Sequence, residues 1–179
     1  MTRSSAREIA LHFIYAMECT GEKPEEILSV RLADGYYDCL AEENAVYSER
    51  PNRKQRQYVE EILRGVDARR DSLNQYISQY AIGWNINRIS RLAKAILQLA
   101  IYESLYMEDV PVGVAINEAV ELAKKYESEE VVALVNGILG SFSRGQTQQN
   151  SCVKESRAEE LEPSCLEGKS VMQGVENEE

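Results

Sequence analysis

The residues best suited to chemistry in this 179-residue chain are arginines and seryl hydroxyls at its beginning. Arg3, Ser4, Ser5 and Arg7 stand at the start of a strong helical pattern. Two guanidiniums, hydroxyls and unpaired amide N–H groups at a helix N-terminus suit an anion, a phosphate above all. The bland reading is a solvated terminus. A second basic cluster, Arg50, Arg53, Lys54 and Arg56, lies in or just after a polar loop. By itself it is weak, because a charge run usually marks a solvated face. His12 is the single histidine and falls among apolar neighbours, where a partly exposed helix residue is a better reading than a general base. Asn117, Glu118 and Glu121 imitate a carboxylate pair, but Glu121 reads as solvated. Asn117 and Glu118 read as hydrogen-bonding groups rather than catalysts.

Signatures of catalysis and metal binding are missing from the sequence. There is no phosphate-binding G-x-x-x-x-G-K-[ST], no G-x-G-x-x-G, no G-x-S-x-G and no H-E-x-x-H. Cys19, Cys39, Cys152 and Cys165 are widely spaced, and one histidine cannot complete a zinc set with them. No cofactor is expected, and the thiols are expected to be reduced. No apolar run approaches the ~18 residues that span a bilayer, and the N-terminus lacks the apolar stretch of a secretory signal. The expected location is cytoplasmic, with no membrane partner.

The net charge is −10, which argues against a general nucleic-acid coat but leaves room for a local basic patch. Half of that charge falls after Gly145, where 8 acidic and 3 basic residues occur without one aromatic. Gln146–Glu179 therefore reads as an acidic, disordered tail, with at most a transient helical turn near Ala158–Leu161. Its charge should repel phosphate.

The elements that must position these groups are all helical. Ser5 to Glu8 reads as an S-x-x-E capping box opening a helix over about 5–19, with Ile9, Phe13, Ala16 and Met17 inward and Thr20-Gly21 as its stop. Pro24 opens a helical stretch to about 43, with a possible break at Asp34-Gly35. Residues 44–52 read as a loop. One helix or two abutting helices cover about 53–80, ended by Gly83-Trp84-Asn85. The stretch Ser90–Tyr106 is apolar nearly all round and should be the central, buried helix. Further helices are expected over Val114–Tyr126 and from Ser128 into Ser143-Arg144-Gly145. No strand pattern survives, so the fold class is all-α, a bundle of six or seven helices over residues 1–145.

These segments together resemble the transcription antitermination factor NusB family. Ser5-Ala6-Arg7-Glu8-Ile9-Ala10 through Tyr15 is similar to its R-x-x-A-R-E-x-A-x-x-x-L-Y opening. Trp84 with Ile89 to Leu97 resembles its middle segment. The run Ala115-Ile116-Asn117-Glu118-Ala119-Val120-Glu121-Leu122-Ala123-Lys124 and the run Val135-Asn136-Gly137-Ile138-Leu139 are its most specific marks. The similarity covers about residues 3–142.

The resemblance implies two packed three-helix subdomains and no enzymatic activity. It implies pairing with the tenth small-subunit ribosomal protein, NusE, and binding of single-stranded boxA RNA in ribosomal transcripts. Together with RNA polymerase these would form an antitermination complex. Arg3, Ser4 and Arg7 would be the RNA-binding residues, with Arg7 expected to be exposed. Tyr15, Ala93 and Lys94 would face the ribosomal protein.

Some features depart from the family's pattern. Only two basic residues stand before and at the start of the first helix, where members often carry three to five, and Ser4 takes one frequently basic position. Gln98 replaces a usual Arg. The 44–52 loop is longer, and the tail is an extension. RNA binding by this chain alone should therefore be weak. Two other readings compete. One is a protein-interaction bundle with weak or lost RNA binding. The other is the N-terminal module of a ribosomal-RNA cytosine methyltransferase, which would need a downstream domain that the tail is too short to supply.

Overall fold

A computed structural model describes residues 1–84 and 89–159, with side chains through Gln146. The described chain is all-α, with eight α-helices: α1 Arg3–Thr20, α2 Pro24–Arg31, α3 Asp34–Glu43, α4 Arg53–Ala68, α5 Arg70–Tyr80, α6 Arg91–Tyr106, α7 Val112–Tyr126 and α8 Glu129–Glu159. A single 3-10 turn, Ala45–Tyr47, sits in the loop before α4. Met1–Gly145 forms one compact unit, separate from the chain that follows it. None of the described helices is long and apolar enough to cross a membrane.

The count of six or seven rises to eight because both ambiguous stretches divide. Ala33 is extended (φ −67°, ψ 141°), which separates α2 from α3 just before Asp34-Gly35. Arg69 departs from helical geometry (φ −116°, ψ 16°) and separates α4 from α5. The start of α1 also differs from the sequence reading. Thr2, not Ser5, is the cap, and its side-chain oxygen accepts from the Ser5 N–H at 3.0 Å. At the other end Gly21 adopts φ 77°, a left-handed conformation that glycine takes at low cost. The last helix runs on to Glu159 rather than stopping near Gly145, so the backbone of 146–159 is helical where disorder is expected. Gln, Lys, Glu and Arg there are acceptable helix formers, and no proline interrupts them. The remainder of the tail, 160–179, lies outside the described residues, as does the end of the turn expected at Ala158–Leu161.

Helix α6 is the centre, as its all-round apolar sequence implies. Ala93 and every residue from Ala95 to Glu103 are buried. It packs on α1, α4, α5 and α7, while α1 packs on α2 and α4. Phe142 of α8 meets the edges of Tyr76 and Tyr80 on α5. On α1 the buried side chains Ile9, Phe13 and Met17 form the stripe read from the sequence. Truncating such a core phenylalanine to alanine typically costs about 3–5 kcal/mol.

His12 is partly exposed on α1, as read from the sequence, and bridges three elements. The Tyr126 hydroxyl donates to Glu8, so its oxygen accepts from His12 Nε2 at 2.9 Å. That leaves Nδ1 to accept from the Tyr47 hydroxyl at 2.8 Å. The neutral ring suits both bonds. Burial pushes the His12 imidazole below its ordinary range; Glu8 opposes this, while Lys125 and Arg31 add to it. A lowered folded value means that the unfolded chain takes the proton first. His12 therefore adds stability above about pH 6.5, and this is lost as pH falls toward the folded value. Urea unfolding should show wild type losing stability between pH 7.5 and 5.5 more steeply than His12→Gln. Identical pH dependence in the two proteins would rule the linkage out.

Candidate nucleic-acid interface

The arm enters the fold at the first turn of α1. Arg3 is 44% exposed. It donates from Nη1 to Asp109 at 2.6 Å, and its guanidinium lies 5.0 Å from the centre of the Tyr58 ring. The hydrogen bond from Arg3 holds the Asp109 carboxyl below its usual range. An exposed pair of this kind is worth about 0–1 kcal/mol, so an incoming phosphate can exchange for the carboxylate at little cost. Ser4 is exposed beside it.

Arg7 is a correction. It is not exposed but 3% accessible, and it is held by acids from two other helices. Its Nε and Nη2 donate to Glu103 at 2.8 and 2.9 Å. Its Nη1 lies 2.9 Å from Glu118. Glu103 is fully buried and also accepts from the Tyr58 hydroxyl at 2.8 Å. Burial works against the Arg7 charge, but the hydrogen bonds and charge of Glu103, with Tyr58 and Glu118 behind them, hold the guanidinium above its ordinary range. Burial, then the charge of Glu103, raises the Tyr58 phenol. In this arrangement Arg7 fastens the arm to α6 and α7 and presents nothing to a phosphate.

The two basic clusters of the sequence partly converge. Arg3 and Lys54 line one open cleft of about 650 Å³, with Tyr106 and Asp109 on its wall. Arg53 is exposed at the first position of α4. The other members are engaged: Arg50 donates to Asp34 and, at 2.7 Å, to Asp38, and Arg56 donates to Glu60 at 3.1 Å. Asn117 is exposed, Glu118 serves Arg7, and Glu121 pairs with Lys124 at 2.6 Å. Gln98 lies buried, donating to Asn74 Oδ1 at 2.9 Å. Among the described residues no group of three His, Cys, Asp or Glu side chains is placed to hold a metal.

The partner-facing trio separates as well. Tyr15 is 40% exposed, and a hydrogen bond with Cys19 raises its phenol. Arg91 and Glu127 lie close enough to act on it electrostatically. Ala93, by contrast, is fully buried, and its place on the apolar face of α6 leaves it nothing to offer a partner. Lys94 is partly exposed, and its ammonium lies 3.3 Å from Glu18, which also pairs with Arg70 at 3.1 Å. Sequence reasoning missed Lys54 as a companion of Arg3, and it missed Tyr106 and Arg69. Only the fold brings their helices together.

Comparison with known proteins places this arrangement. Residues 4–144 match the model of the NusB family. The transcription antitermination protein NusB of Ruminiclostridium cellulolyticum is 35% identical over 155 residues, covering 87% of this chain and 97% of the relative. The crystal structure of T. maritima NusB superposes with a TM-score of 0.66 at 28% identity, over 80% of this chain and 92% of that one. A structure of antitermination factors NusB and NusE in complex with double-stranded RNA shares the fold, with a TM-score of 0.62 at 21% identity over 80% and 96% of the two chains. The all-helical fold and the length matched in sequence and structure agree with one another: this chain belongs to the NusB family.

Proposed function

We propose that this protein is a non-enzymatic transcription antitermination factor that binds single-stranded boxA RNA of ribosomal transcripts together with the ribosomal protein NusE, as part of an RNA polymerase antitermination complex. The observation that carries the RNA reading is the convergence of Arg3 and Lys54 on one open cleft at the N-terminus of α1. Relatives named as antitermination proteins and a neighbour of the same fold bound with NusE and RNA support it. Arg3 and Ser4 form the RNA-facing arm. Arg7 acts through the arm's position, and Tyr15 marks the face offered to NusE.

Few free cations remain on the arm, and the chain carries a net charge of −10, so binding alone is weak. A basic partner adds charge and footprint. Filter binding at fixed salt tests this with a boxA-like strand, with and without NusE. Tighter binding with the partner is expected, and equal affinity counts against the proposal. Arg3→Ala should weaken matched and scrambled RNA alike, because a phosphate contact carries no sequence information. It should also flatten the salt slope by about 0.7. The competing reading is a protein-interaction bundle without RNA binding. It draws on the pairing of Arg3, Arg50 and Arg56 with carboxylates, and it wins if NusE binds but no RNA does.

A further inference from the structure

The cleft at Arg3 does not end at Tyr106. Gln57 and Glu61 line it and also line a shallower trough of about 750 Å³ that follows α4 past Arg64 to Arg69. Lys54 and Arg64, ten positions apart on α4, are separated by about 15 Å along the helix axis. Tyr106 closes the C-terminal end of α6 and is 41% exposed. The guanidinium of Arg69, itself exposed, lies over the Tyr106 ring, 4.4 Å from its centre. The Tyr102 ring is 5.2 Å from Tyr106, tilted by 36°. Tyr102 rests so closely on α4 that a Cβ at Gly65 would strike its ring and hydroxyl. A glycine at that position gives Tyr102 its seat and so sets the base of a series of planar groups that reaches solvent at Tyr106 and Arg69.

This surface has the chemistry of a nucleobase site more than that of a phosphate track. Its cations, Arg3, Lys54, Arg64 and Arg69, are matched by Glu60, Glu61, Glu108 and Asp109. A duplex met through its phosphates gains little from such a mixed field. A single strand gains more, because splayed bases stack on aromatic rings and on arginine planes, while amides and carboxylates meet their edges. The cleft's volume falls within the ~300–1,000 Å³ range of small-ligand sites. We propose that Tyr106 and Arg69 form a base-stacking subsite for single-stranded RNA, continuous with the phosphate contact at Arg3. This rests on the RNA-binding reading above.

The test uses the full-length protein at low salt, with and without NusE, and two labelled probes: a single-stranded 12-nucleotide oligoadenylate and an abasic 12-mer of equal charge. Fluorescence anisotropy reads the affinity. Wild type should prefer the oligoadenylate. Tyr106→Ala should lose about five-fold or more of that affinity and leave the abasic probe unchanged. Arg69→Ala should do the same to a smaller degree, and Tyr106→Phe should retain binding. Arg3→Ala should weaken both probes. Tyr106→Leu keeps apolar bulk against Tyr102 without a π face, so it gives the same answer should the alanine variant unfold. A base preference that survives in Tyr106→Leu overturns the subsite and leaves the RNA reading standing. Loss of NusE binding in that variant with RNA binding intact makes the surface a protein contact and also overturns it. Failure of wild type to bind either probe, even with NusE, overturns the subsite, and the RNA reading falls with it only if the boxA-like strand also fails to bind.

Discussion

Arg7→Ala is expected to lower the melting temperature of the protein by on the order of 10 °C. The substitution leaves Glu103 fully buried with only the Tyr58 hydroxyl to satisfy it. Breaking a buried ion pair by removing one partner typically costs about 3–5 kcal/mol, because the remaining charge has lost both water and its counter-ion. Arg7→Lys should recover part of the loss. A lysine restores the charge but not the fork that spans both Glu103 and Glu118. The double variant Arg7→Ala with Glu103→Ala should cost less than the sum of its parts, since the stranded carboxylate is gone. Arg3→Ala is the contrast, because its exposed pair with Asp109 should move the melting temperature little. Calorimetry on these variants, with Glu103→Ala alone to complete the cycle, checks the set. A shift for Arg7→Ala as small as that for Arg3→Ala would mean that water reaches Glu103 and that the pair is not sealed.

Such a loss would also weaken RNA binding without Arg7 touching RNA. The melting curve separates the two effects. Arg3→Ala should cut affinity in a folded protein, whereas Arg7→Ala should cut it in proportion to the unfolded fraction and to any freedom gained by the arm.

The bundle was legible because burial leaves a periodic trace. Helix α6 read as central from its lack of a polar face, and every residue from Ala95 to Glu103 is buried. What the period could not show was a charge inside the stripe. Arg7 stands three, four and seven positions before Ala10, Leu11 and Ile14, all fully buried. Glu103 likewise follows Ile96, Leu99 and Ala100 at those spacings. Two opposite charges, each in register with an apolar face, are the signal that would have predicted their pairing. An isolated pattern reads each as an exposed exception, because the partner lies 96 residues away. Ala93 failed as a partner contact for the complementary reason. A small side chain on an apolar face is where helices approach most closely, so it is the residue least able to reach a second protein. The cleft itself was invisible, since Arg3, Lys54 and Tyr106 come from three helices whose contact depends on the whole packing.

Tyr15→Asp is expected to abolish capture of NusE while leaving the melting curve in place. Tyr15 stands outside the α1 stripe and is 40% exposed, so its ring is not a keystone of the core. Its two side-chain torsions leave the ring little freedom to lose on binding. An exposed aromatic is the kind of anchor that dominates interface energetics, where single truncations cost ~2 kcal/mol or more, roughly 30-fold in affinity. Aspartate removes the apolar ring area and leaves a charge that a partner's apolar surface would have to desolvate. Lys94→Ala provides the control on the neighbouring helix. Its ammonium is taken up by Glu18, so it should alter stability slightly and partner binding little. A pull-down with purified NusE and a thermal melt of each variant decide the matter. Unfolding of Tyr15→Asp would mean that the ring packs within the fold rather than facing a partner. Undiminished capture by a folded Tyr15→Asp would move the NusE face elsewhere, since of Tyr15, Ala93 and Lys94 only Tyr15 offers an unburied side chain that is not held in an ion pair.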